Sequence, residues 1–103
     1  MNTGNPSGSA SILVLGQRSD GNILKKENEF IHGYDKYEVL KDAGFDVEFL
    51  DVEGGWTEME AQEMVGKADV VIFAMEKYHD LSLKLYWQLL GMVKDGAIVL
   101  NHA

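Results

Sequence analysis

Residues 68–80 read Ala-Asp-Val-Val-Ile-Phe-Ala-Met-Glu-Lys-Tyr-His-Asp, and this stretch decides the fold. Val70, Val71, Ile72, Phe73 and Ala74 form an unbroken apolar run. A strand with one wet face alternates apolar and polar residues. This one does not, so both of its faces are expected to be covered, as in a parallel sheet. The run passes directly into Glu76, Lys77, Tyr78, His79 and Asp80, a segment dense in titratable groups, and a helical pattern follows. Ligands of open α/β sheets bind beyond the carboxyl ends of the strands, so this polar segment is where a site is expected.

The pattern repeats outward on both sides. Upstream, Ser11 to Leu15 is a short apolar strand stopped by Gly16, and Gln17 to Asn22 is a polar, turn-rich loop. Ile23 to Ile31 reads equally as a helical turn or a loop. From His32, Tyr34, Tyr37 and Leu40 recur at three-residue steps and predict an amphipathic helix to about Ala43, with Gly44 as its stop. Asp46 to Val52 is a second strand, with Val47, Phe49 and Leu50 inward, and Glu53 to Trp56 turns the chain. Thr57 with Glu60 three residues later is a capping box, and Met59, Met64 and Val65 give the helix that follows its apolar side. Downstream, His79 or Asp80 caps a third helix. Leu81, Leu85, Leu89 and Met92 form its stripe, with Leu83, Trp87 and Leu90 beside it, so this helix is expected to be largely buried or to share its surface with a partner. Gly96 ends the segment, and Ala97 to Leu100 is a last strand. Met1 to Ala10 is rich in Gly, Ser and Asn and reads as a flexible leader, leaving residues 11–103 as a single domain.

Strand and helix therefore alternate. With right-handed crossovers this gives an α/β three-layer sandwich around a four-stranded parallel sheet. The flavodoxin-like strand order 2-1-3-4 is the expectation, with the other doubly wound order as its alternative. A last strand with nothing after it is either an exposed edge or the seat of a second chain, so a homodimer through the 81–92 helix or through the last strand is an expected partnership.

Composition bounds the function. Nine basic against seventeen acidic residues leave a net charge of −8, which disfavours nucleic acid and anionic membrane as partners. The absence of cysteine excludes disulfides, a thiolate nucleophile and thiolate metal sites. No apolar run approaches the ~20 residues that span a bilayer, and no signal peptide is visible, so a cytoplasmic location is the expectation.

Three groups of residues can carry chemistry. Gly16 to Asn22 follows a strand and can present backbone N–H groups to a phosphate. Asn22 and Ile23 stand where a P-loop needs Lys and Ser or Thr, so that motif is absent. Ser19, Gly21 and Asn22 resemble the phosphate loop of flavodoxins and FMN reductases, which implies FMN as the cofactor of an alternative reading, although Asp20 would repel a phosphate. The second group is Glu76, Tyr78, His79 and Asp80. A histidine shuttles protons near neutral pH and a nearby carboxylate can hold its tautomer, but an Asp at this position also simply caps a helix. The third group is the histidines: His32 at the first helix, His79 after the third strand and His102 after the fourth all fall toward one rim of a parallel sheet. With Glu76 or Asp80 they suit a polyol or a divalent cation. No metal-binding spacing such as HExxH is present, so no metal site is assigned. Trp56 and Tyr78 fall at the same rim, where an aromatic ring stacks on a sugar or flavin or closes the edge of the core.

Taken in order, these segments resemble the trehalose-utilisation (ThuA-like) family of the class I glutamine amidotransferase-like superfamily. The resemblance covers roughly Ile12 to His102. It rests on Ile31-His32-Gly33 at the first helix, Leu40-Lys41 with Ala43-Gly44 at its end, and Thr57-Glu58 at the second helix. Asp69-Val70 with His79-Asp80 and Ile98-Val99-Leu100 with His102 complete it, Asn101 being inserted in the last. It implies a flavodoxin-like sheet and a link to sugar metabolism; a small-molecule ligand at the rim is then expected to be bound by His32, Trp56, Glu76, Tyr78, His79, Asp80 and His102, the residues that their positions after strands and before helices gather there. The family's first loop carries a Glu and a His that Gly16 to Asn22 lacks, and its members run about twice this length. Amidotransferases proper use a cysteine nucleophile, so that activity is excluded here. Met92 to Asn101 also resembles a strand of NAD-dependent 2-hydroxyacid dehydrogenases, but the GxGxxG loop is missing.

Overall fold

The computed structural model describes residues 10–17, 33–75, 77 and 80–101. Its elements follow in the order β1 (Ser11–Gly16), α1 (Tyr34–Asp42), β2 (Asp46–Asp51), α2 (Glu58–Lys67), β3 (Val70–Phe73), α3 (Asp80–Leu90) and β4 (Ile98–Asn101). The four strands form one sheet in the order β2-β1-β3-β4, and every neighbouring pair is parallel. Of the two doubly wound orders, the structure adopts the flavodoxin-like one.

The register sorts the side chains onto two faces. Leu13, Val71 and Val99 lie in one row, and Leu15, Phe73 and Asn101 in the next; Ile12, Val70 and Ile98, then Val14, Ile72 and Leu100, form the rows of the opposite face. Leu13, Leu15, Val71 and Phe73 join Ala61 and Val65 of α2 and Leu89 of α3 in one buried cluster. Phe73 meets Tyr86 of α3 edge to face, ring centroids 4.9 Å apart. α1 covers the other face, but only over β1 and β2, where Tyr34 and Tyr37 close on Phe49 with centroids 5.2 and 5.8 Å away. The layers are therefore α1, sheet, and α2 with α3.

Local chemistry explains the element ends. The Glu60 N–H donates to Thr57 Oγ1 (3.1 Å) and the Thr57 N–H to Glu60 Oε1 (3.0 Å), the expected capping box. α1 closes where Gly44, at φ 95°, lets its N–H reach the Lys41 carbonyl and the Phe45 N–H reach that of Leu40. At the amino ends of the strands, Asp69 ties three of them together. Its backbone bonds Ser11 and Ile98, its Oδ2 accepts from the Ser11 N–H (3.0 Å), and its Oδ1 accepts from Lys94 Nζ (2.7 Å). The Lys94 hydrogen bond first, and the Ser11 N–H second, hold the Asp69 carboxyl below its ordinary pKa.

Several expectations are corrected. β2 stops at Asp51 rather than Val52, and alternation puts Leu50 on the opposite face from Val47 and Phe49. Met59 is not on the core side of α2 but 75% exposed, because it lies some 200° round the helix from Ala61. Leu81 is 79% exposed, since an i, i+4, i+8 row drifts about 40° per step and has left the core side by the time it runs back from Leu89. α3 is not largely buried: Leu89 is its one buried residue, and Leu83 and Trp87 are exposed. The central strand is sealed on one face only. Val71 and Phe73 are buried while Val70 and Ile72 are half-buried, because α1 stops short of β3 and β4. Asp80 is the first residue of α3, inside the helix, while His79, the other expected cap, lies outside the described residues; α1 begins at Tyr34 behind an N-cap at Gly33. The leader, apart from Ala10, lies outside the described residues.

Candidate ligand-binding rim at the carboxyl ends of the strands

Strand progression reverses between β1 and β3. β1 leads through α1 to β2 on one side, and β3 leads through α3 to β4 on the other. α1 and α3 lie on opposite faces, so two connections start side by side at the carboxyl ends of β1 and β3 and part company. A crevice opens at such a switch point in open α/β sheets.

Small, buried residues pack closely at this point. Gly33, with φ 84°, stands directly over the ends of β1 and β3. A Cβ at this position would lie 2.7 Å from the Ala74 Cβ, 3.2 Å from Val14 Cγ1 and 3.6 Å from the Gly16 Cα. Only a glycine allows both that backbone conformation and that approach. The Ala74 N–H donates to the Leu15 carbonyl (3.0 Å) and the Val52 N–H to that of Gly16 (2.9 Å), which carries the ladder up to the rim.

Polar groups stand just past the strand ends. Gln17 Nε2 donates to Glu53 Oε2 (2.9 Å), and the Glu53 N–H donates to Asp51 Oδ1 (2.9 Å), so the ends of β1 and β2 are bridged by side chains. Lys77 leaves β3 half-buried, its Nζ donating to the Met75 carbonyl (3.0 Å) and standing 5.5 Å over the Tyr86 ring. Lys77 and Gln17 fall within the two segments expected to carry a site, whereas the sequence reading assigns no role to Asp51 or Glu53. Their positions just past strand ends were the available signal.

Of the residues expected to bind ligand, the structure describes two. Trp56 lies half-buried against the core with its indole N–H donating to the Val52 carbonyl (2.9 Å). Asp80 is exposed at the start of α3. The two therefore stand at the amino-terminal ends of α2 and α3. His32, Glu76, Tyr78, His79 and His102, and the alternative phosphate loop of Ser19, Gly21 and Asn22, lie outside the described residues. Among the described residues no group of three or more His, Cys, Asp or Glu is placed to hold a metal ion, and no helix is long and apolar enough to cross a membrane. Compared with models of protein families, with curated proteins and with solved structures, the chain finds no match in any of the three.

Proposed function

We propose that this chain is a small-ligand-binding α/β domain of the cytoplasm that takes a neutral sugar or polyol in the crevice between the carboxyl ends of β1 and β3. The observation that carries this reading is the switch point itself, where Gly33 packs closely on Gly16 and Ala74. The connections that leave it hold His32 on one side and Glu76, Tyr78, His79 and Asp80 on the other, and His102 follows β4 at the same end of the sheet. Imidazoles and carboxylates at such a rim exchange hydrogen bonds with hydroxyl groups. The likeness to the ThuA family supports a sugar as the ligand. Asp51 and Glu53 beside the crevice favour a neutral ligand over a phosphate dianion, which places FMN held by Ser19, Gly21 and Asn22 second. Self-association through the 81–92 helix or the last strand belongs to the same reading.

Thermal melts with trehalose and with FMN as probes test it. Trehalose is expected to raise Tm logarithmically with its concentration above Kd, beyond the rise that sucrose at the same concentration gives as an excluded osmolyte, and His32→Ala, His79→Ala and His102→Ala each reduce that rise. A Tm indifferent to trehalose, or a rise that survives all three substitutions, overturns the sugar reading. Quenching of flavin fluorescence on titration moves the assignment to FMN.

A further inference from the structure

Lys77 turns its charge inward. A lysine kept for solubility lays its stem along the surface and leaves its ammonium in water. Lys77 is half-buried, and its Nζ stands between the Met75 carbonyl, 3.0 Å away, and the face of the Tyr86 ring, 5.5 Å from its centroid. Withdrawing an ammonium from water carries a cost, which a hydrogen bond to a carbonyl and the negative face of an aromatic ring offset. Both partners are set by the core. The Met75 side chain is buried, and the Tyr86 ring packs edge to face on Phe73, which is fully buried. The lysine thus ties the connection between β3 and α3 back onto α3.

Six residues, 74–79, join Phe73 to Asp80, and Lys77 is the fourth of them. Phe73 against Tyr86 pins the strand end to the helix, Met75 anchors the first half of the connection in the core, and the Lys77 ammonium adds a tie at its middle. Glu76 falls between the two tied residues in sequence, and Tyr78 and His79 follow directly. We propose that Lys77 is a positioning residue: its ammonium, held between the Met75 carbonyl and the Tyr86 ring, sets where the β3–α3 connection presents Glu76, Tyr78 and His79 to a polyol at the switch point. Its bearing on the ligand rests on the small-ligand reading above; the clamp itself does not. Donors and acceptors held in place before a ligand arrives lose less ordering entropy on association, so a tie in the middle of a binding connection strengthens binding without touching the ligand. The role needs a cation. An apolar side chain of similar bulk fills the same space, but it neither donates to the carbonyl nor is drawn to the ring face by charge.

Chymotrypsin acting on the folded protein reads the clamp directly, since the Tyr78–His79 bond lies one residue beyond Lys77. Cleavage at that bond, followed by fragment mass, is expected to run about threefold faster in Lys77→Leu, which keeps an apolar stem and loses the charge. Lys77→Arg restores a cation that donates to a carbonyl and stacks on a ring, and should be cleaved at close to the parent rate. Both variants are checked for native circular dichroism. Trehalose affinity, taken from thermal shifts measured against sucrose, should fall about threefold in Lys77→Leu and be kept in Lys77→Arg. A Lys77→Leu chain cleaved at the parent rate overturns the clamp. Cleavage accelerated equally in Lys77→Arg overturns it too, since a cation is then not what holds the connection. Faster cleavage with parental trehalose affinity overturns the positioning role. A parent whose Tm answers trehalose no more than sucrose overturns the ligand reading, and with it the role toward a polyol, while cleavage still decides the clamp.

Discussion

The two faces of the sheet carry the same kind of side chain and are finished differently. Toward α2 and α3, Leu13, Leu15, Val71 and Phe73 are almost completely buried. Toward α1, Val14 is sealed beneath Gly33, while Val70 and Ile72 are half-buried and Ile98 and Leu100 on β4 are exposed. The difference comes from topology rather than composition. With strand order 2-1-3-4, right-handed crossovers place α2 and α3 together on one face and α1 alone on the other. An apolar strand thus declares that its faces are to be covered, without declaring by what.

The sharpest measure of that contrast uses one substitution on each face. Leu15→Ala, at a fully buried position on the α2–α3 face, is expected to lower unfolding free energy by about 3–5 kcal/mol. Leu100→Ala, one strand over from β3 on the open face, leaves a side chain already half in water and should cost about 1 kcal/mol. Urea unfolding in dilute solution measures both. Equal losses would mean that the open face is covered in solution, and the contrast would fail.

Gly33 is where the α1 face closes, and it sharpens the comparison from that side. Its φ of 84° and the 2.7 Å approach of an added Cβ to Ala74 penalise any side chain. Gly33→Ala should cost about 2–4 kcal/mol, the left-handed conformation and the overpacking adding together. The loss is expected to concentrate in α1, so hydrogen exchange should accelerate there before it does in α2. A variant as stable as the parent would show that α1 can shift off the switch point at no cost.

These contrasts also mark what the residues could tell in advance. The five-residue apolar run at Val70–Ala74 and the alternation of short strands with helical periods sufficed for a parallel sheet, and Thr57 with Glu60 located α2. The strand order was a choice between two, because crossover direction leaves no periodic trace. Facing was legible where a stripe was narrow, as at Tyr34, Tyr37 and Leu40. It misled at Leu81, where a four-step row followed back from Leu89 drifts off the core side, and at Met59, which groups with Met64 and Val65 by residue type although it lies some 200° round α2 from buried Ala61. For the rim, titratable residues in the connections drew attention. Asp51 and Glu53 did not, because single polar residues beyond strand ends look like ordinary turns until the strands are set side by side. The role of Gly33 was hidden for the same reason, since its neighbours are Val14 and Gly16 of β1 and Ala74 just past β3.

The smallest effect probes what keeps β4 in the sheet at all, given that α1 does not cover it. Asp69 supplies part of the answer, joining the starts of β1, β3 and the turn before β4 through Ser11, Ile98 and Lys94. Its folded pKa is depressed, chiefly by the Lys94 hydrogen bond, so in the folded state it binds its proton less readily than in the unfolded chain. The stability it contributes is therefore fully present above the unfolded value, about 3.9, and is lost as pH falls through the lower folded value. Near neutrality Asp69→Asn should be less stable than the parent by a small margin, because Lys94 and Asp69 are both half in solvent and screened. That margin should shrink as the pH is lowered below about 4. Amides of β4 should exchange faster in the variant while those at the centre of β1 change little, since β1 keeps partners on both sides. A margin that does not vary with pH, or exchange that rises equally in β1 and β4, would mean that the β3–β4 ladder alone holds the edge strand and that the carboxylate is incidental to it.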